Sequence, residues 1–167
     1  PTGKHKIIDA PFISQMPDYP TGCESVATVM ALQHAGVHKT VLSFINSYLY
    51  RTSLPFDPNI SFGGDPRDTR NSYGCYSPVI KKALDKCFQS PEISFYKAVE
   101  LKNVSLQQLC SDYIDKDIPV IMWATIDMKP WYNGDHWYYN GKKIQWIAPE
   151  HCLLLVGYDD EHYIFND

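Results

Sequence analysis

One cysteine, one histidine and a polar strand end have the types and the order that nucleophilic catalysis needs. Cys23 follows the loop Tyr19-Pro20-Thr21-Gly22 and opens a stretch in which Val26, Val29, Met30, Ala31 and Leu32 recur at the spacing of an amphipathic helix, with Gly36 placed as a stop. A thiol in the first turn of a helix meets unpaired backbone N–H groups and the positive end of the helix dipole, which favour the thiolate. The competing reading is a buried structural thiol. A thiolate nucleophile needs a base within hydrogen-bond reach and a third group to orient that base. His151 is the best candidate base, at the mouth of the otherwise apolar or small run Cys152 to Gly157. A turn at Asp159-Asp160 returns the chain from His162 to Asp167 antiparallel to that run, which brings Asn166 or Asp167 beside His151. Strand alternation sends these two side chains to opposite faces, so one of them alone can meet the ring. Gln15, eight residues before Cys23, can donate a side-chain N–H to a developing oxyanion alongside the Cys23 backbone N–H.

The elements that must position these groups follow in chain order. Lys6–Ala10 and Pro11–Ser14 read as short extended pieces confined to edges or loops by Pro11 and Pro17. After the Cys23 helix, Thr40 caps a second helix with Val41, Phe44, Ile45, Tyr48 and Leu49 on one face. Arg51 to Gly74 carries three prolines and the pair Gly63-Gly64 and reads as a long surface loop of functional length. Ser77-Pro78 is an N-cap followed by a proline at the first helical position, and that helix runs to about Phe88. Ile93–Val99 reads as a strand and Ser105 caps a short helix. Pro119–Ile126 reads as a central strand covered on both faces. Turns are expected at Asn133-Gly134 and at Asn140-Gly141, the latter joining Trp137–Tyr139 to Lys143–Ile147 as a hairpin. Helices first and a strand meander after them point to α+β, with N-terminal helices packed on an antiparallel sheet.

Composition narrows the function classes. A formal net charge of -4 leaves no basic footprint, so a nucleic-acid partner is not expected. No apolar run approaches the ~20 residues of a membrane span. Cys23, Cys75, Cys87, Cys110 and Cys152 form no CxxC pair, which argues against a structural zinc site. A mixed site built from Cys23, His151 and Cys152 is disfavoured because adjacent strand residues point to opposite faces. Twelve tyrosines and four tryptophans suit aromatic walls around an extended ligand as well as a plain core. Trp137 and Trp146 are the ones placed to line a cleft near His151.

Cysteine near the N-terminus, histidine 128 residues later and an Asn or Asp one hairpin further on is the order of papain-like enzymes. In detail the chain resembles the C39-like peptidases of the stand-alone bacterial type. Gln15 with PTGCESVATVMAL, IPVIMWAT from Ile118 to Thr125, and EHCLLLVGYDDEHYIFND from Glu150 to Asp167 carry the resemblance. It implies a papain-like fold and a cysteine peptidase in which Cys23 is the nucleophile, His151 the base, Asp167 the orienting acid and Gln15 the oxyanion donor. It implies no cofactor and no metal, a peptide or protein substrate, and an extracellular or cell-surface setting. Gly-Cys-Glu at Gly22–Glu24 resembles the stand-alone members rather than the exporter-linked leader peptidases. The Gln15-to-Cys23 gap is longer than in the best-known members. The family's sheet usually continues past the triad Asp. Residues 1–167 are therefore expected to be one domain, incomplete at Asp167, its sheet finished by a C-terminal segment or a second chain. The same triad also serves acyl transferases, amidases and deamidases, which differ only in what leaves and what accepts, and a non-catalytic binding module on the same scaffold stays open as well.

Overall fold

The computed structural model describes residues 5–167, so the first four residues of the expected domain lie outside it. Four helices, α1 (Cys23–His34), α2 (Val41–Ser47), α3 (Ser77–Cys87) and α4 (Leu106–Asp112), come largely before the strands that build the main sheet. Those strands are β1 (Lys6–Ile7), β4 (Val120–Thr125), β7 (Glu150–Tyr158) and β8 (Tyr163–Asn166). β1, β4 and β8 each pair antiparallel with β7. β8 and β4 both reach Leu154 and Leu155, and β8 and β1 both reach Gly157 and Tyr158. Hence β8 occupies one edge of β7, while β4 and β1 follow one another along the other edge. The architecture is mixed helix and sheet.

β7 is therefore the central strand, and β4 is an edge strand, half-buried along its length rather than fully covered on both faces. The apolar run of β4 is explained by partial cover on both faces, since the consecutive residues Val120, Ile121, Met122 and Trp123 all touch the core. β7 is the strand buried almost throughout, from Cys152 to Gly157.

α1 also departs from expectation. Nine of its 12 residues are buried, including Glu24, Ser25 and Thr28, so it is a core helix rather than an amphipathic one. Its polar residues are inside because α2, α3, β4 and β7 all pack against the helix. Thr28 satisfies its hydroxyl on the Glu24 carbonyl at 2.6 Å. The helix ends in paired bonds, Gly36 N–H to the Gln33 carbonyl and Val37 N–H to the Leu32 carbonyl, and Gly36 supplies the left-handed φ of +80°. Around α1 the core gathers Phe44 and Ile45 of α2, Ile80 of α3, Ile114, and Leu154 and Leu155 of β7. Thr40 and Ser43 form the expected capping pair at α2, and Ser105 caps α4 through the Gln108 N–H. At α3 the cap position is Tyr76, while the Ser77 hydroxyl instead donates to Glu100 at 2.7 Å.

The segment from Arg51 to Gly74 is not a surface loop. Its parallel pair β2 (Arg51–Thr52) and β3 (Phe62–Gly63) is short, and Phe56 and Phe62 are fully buried. Ile93–Val99 is not a strand: a 3₁₀ turn, Pro91–Ile93, leads into irregular chain. The hairpin is longer than expected, β5 (Tyr132–Tyr139) against β6 (Lys142–Ala148), with Asn133-Gly134 inside β5 beside a bulge rather than at a turn. Asn140-Gly141 makes the tight turn, both residues at positive φ.

Candidate active site

Cys23 is the first residue of α1, and the loop before it is held by the 51–74 segment. Thr21 Oγ1 bonds the carbonyls of Asp65 and Asp68 and the Ser72 hydroxyl, and the Thr21 N–H donates to Pro66. Gly22 lets this approach happen, since a Cβ there would lie 2.9 Å from Tyr19 Cβ and 3.0 Å from Pro66 Cβ. Asp65 anchors the segment in turn, accepting from Arg51 at 2.6 Å and from Arg67 at 2.8 Å. Its carboxyl is held down to about 2, first by the Arg67 hydrogen bond.

His151 is the second residue of β7, with 13% of its side chain exposed. Its Nε2 meets Asp167 Oδ1 at 2.5 Å. Asn166 turns the other way, donating to the Ala10 carbonyl at 3.4 Å. The short return through Asp159, whose carboxylate accepts the N–H groups of Glu161 and His162, sets this alignment. Gln15 Nε2 donates to the Pro20 carbonyl at 3.0 Å, so the Gln15 amide is tied to the loop that delivers Cys23.

Among the described residues Cys23 makes no hydrogen bond to His151. Its Sγ donates to Glu24 Oε2 at 3.4 Å. The thiol is pushed well up, first by burial, then by the Glu24 and Glu150 carboxyls and Cys152, while a backbone hydrogen bond from Cys152 works weakly the other way. The expected lowering by the helix N-terminus is thus outweighed by desolvation, which favours the neutral thiol. The approach of Cys152 to Cys23 nonetheless places the strand position next to His151 against the helix start.

Two residues with a claim on this site were missed in the sequence. Glu24 is fully buried, and its Oε1 accepts the Cys75 N–H at 2.7 Å. Burial lifts its carboxyl to about 7. Glu150 is lifted well above the carboxylate range by burial and by Glu24, and its Oε1 is buried with no hydrogen-bond partner. A carboxylate directly after Cys23, and another directly before His151, were the available signals. Cys75 is pinned from its other side by the Trp123 indole, which donates to the Cys75 carbonyl at 2.8 Å. Gly74, at φ +141°, leaves room for the acids: a Cβ there would lie 2.5 Å from Glu24 Oε1 and 3.1 Å from Glu150 Oε2. Trp146 closes the same spot and stacks on Tyr76, while the Trp137 indole donates to the Phe56 carbonyl.

Cys23, Glu24 and Glu150 offer ligand atoms within 4.8 Å of one another. The Glu24 oxygens accept the Cys75 N–H and the Cys23 S–H, so an ion there would have to displace the thiol proton. All five cysteines are buried free thiols. Among the described residues no helix is long and apolar enough to cross a membrane.

Comparison with known proteins gives the chain's family. The chain is 26% identical to the uncharacterized protein YvpB of Bacillus subtilis (strain 168) over 99% of its own length, spanning 66% of that relative. A crystal structure from Bacillus anthracis, designated by inference a C39-like peptidase, matches with a TM-score of 0.81 at 25% identity, over 97% of this chain and 82% of the other. The model of the family described as "Peptidase_C39 like family" matches residues 7–167, and the chain belongs to that family.

Proposed function

We propose that this protein is a papain-like cysteine peptidase that works through Cys23, His151 and Asp167. The observation that carries the reading is the 2.5 Å bond between His151 Nε2 and Asp167 Oδ1, on the strand that packs against the start of the Cys23 helix. With Nε2 held by the carboxylate, Nδ1 is the nitrogen left to take a proton from the thiol. Burial favours the neutral thiol, so that transfer accompanies substrate binding: His151 draws the proton from Cys23 as the sulfur attacks the carbonyl carbon. The oxyanion is met by the Cys23 backbone N–H and by Gln15, whose amide keeps a second N–H beyond the one given to Pro20. His151 then returns its proton to the leaving amine, and water activated by the same ring cleaves the thioester. The 51–74 segment and the β5–β6 hairpin border the site and set the substrate.

The test is an electrophilic peptide-mimic probe followed by mass spectrometry, with peptide cleavage assayed beside it. The expected result is covalent label on Cys23, lost in Cys23→Ala and strongly reduced in His151→Ala. Label spread over other thiols, with no product from any peptide pool, would overturn the reading. Ammonia release or acyl exchange without a cut chain would move the same triad to an amidase, deamidase or transferase.

A further inference from the structure

The residues flanking the two reacting groups meet each other. Glu24 follows Cys23 and Glu150 precedes His151, and their carboxyl groups converge beside Gly74. Neither makes a salt bridge with a lysine, arginine or histidine among the described residues. The titratable groups that face them are Cys23 from α1, Cys75 and Tyr76 from the segment entering α3, and Cys152 from β7, all uncharged when protonated. Two carboxylates in such a place repel, and no cation is at hand to separate them. Glu24 has two donors pointing at it, whereas Glu150 Oε1 has none. Glu24 is therefore the member placed to give up its proton first, and Glu150 the one that keeps it.

We propose that Glu24 and Glu150 hold one proton between them and so clamp the start of β7 to the start of α1, making both positioning residues for the Cys23–His151 pair. This rests on the reading of Cys23 and His151 given above. The clamp joins the chain neighbours of the two residues that carry the reacting side chains, so its length bears on their separation. Loss of the shared proton puts two charges side by side, drives the two elements apart and adds a second carboxylate against the thiol. The alkaline side of the activity profile then belongs to this pair. A neutral amide at position 150 can still donate to Glu24 but has no proton to lose.

The test combines two measurements on the full chain. Infrared difference spectra should show a protonated buried carboxyl at neutral pH, present in Cys23→Ala and absent in Glu150→Gln. Peptide turnover against pH should show Glu150→Ala depressed throughout, Glu150→Gln recovering about tenfold over Glu150→Ala, as a restored hydrogen bond to a charged group does, and the alkaline limb of Glu150→Gln displaced upward. An infrared band unchanged in Glu150→Gln, or an alkaline limb that stays where it is in the wild type, overturns the proposal. The infrared result needs no turnover, so it decides the clamp even if Cys23 proves not to be a nucleophile. Stoichiometric zinc on Cys23, removed by Glu150→Gln, would also overturn it in favour of a metal site.

Discussion

At the level of single residues, the site departs most from a simple thiolate–imidazolium picture at Cys23. Burial, then the neighbouring Glu24 and Glu150 carboxyls, push the Cys23 thiol well up. Alkylation by a small neutral reagent should therefore be slow at pH 6 and climb toward alkaline pH, with Glu24→Gln bringing the climb to lower pH. Equally fast labelling at pH 6 and pH 9, followed by mass spectrometry of the Cys23 peptide, would show a preformed thiolate instead. The orienting residue gives a second contrast. Asp167 meets the ring while Asn166 holds the Ala10 carbonyl, so Asp167→Ala should lower kcat by about 10²–10⁴, the range seen when the orienting acid of a triad is lost. Asn166→Ala should act mainly on stability. A larger fall in kcat for Asn166→Ala would reverse the assignment.

At the level of elements, the site depends on what the 51–74 segment and its exit do. Gly74 combines a φ of +141° with a side-chain direction in which a Cβ would lie 2.5 Å from Glu24 Oε1, so Gly74→Ala should destabilise by about 2–4 kcal/mol from backbone strain and displacement of the acid. Thermal unfolding measures this, and a variant with unchanged Tm would mean that the acids are free to move. How much of this was legible in the sequence depends on the range of the interactions involved. The Thr40 and Ser105 caps, the stop at Gly36 and the Asn140-Gly141 turn were readable because each is decided by a few neighbouring residues. The burial of Phe56 and Phe62, and the edge position of β4, were not, because both depend on which distant surface covers the residue. Ile93–Val99 has the apolar pattern of a strand, yet no free edge of β7 remains for it to pair with. The His151–Asp167 approach was legible as a hairpin of the right length, whereas Glu24 was hidden because helical periodicity does not tell which distant elements cover its side of the helix.

At the level of the whole molecule, two kinds of carboxyl act on stability in opposite directions. Asp65 is lowered from 3.8 to about 2, so its contribution is fully present above 3.8 and is lost as pH falls through about 2. Glu24 is raised from 4.5 to about 7, so its contribution is fully present below 4.5, where it is protonated in both states, and is lost as pH rises through about 7. Glu150 acts in the same sense as Glu24. For Glu24 the loss at high pH is of order 3 kcal/mol, a sizeable part of the stability of a domain this size. Buried thiols Cys75 and Cys152, raised by desolvation, add a further loss in strongly alkaline solution. Greatest stability should therefore lie near pH 4–5, more acidic than the usual maximum between about 5 and 8. Denaturant midpoints measured from pH 3 to pH 9 should fall between pH 5 and pH 8 in the wild type. The double variant Glu24→Gln with Glu150→Gln should stay level over that interval, while Asp65→Asn should differ from wild type above pH 4 and converge with it in stronger acid. A wild-type curve flat from pH 5 to pH 8 would mean that both glutamates ionise freely, and the protonated clamp beside Cys23 would go with it.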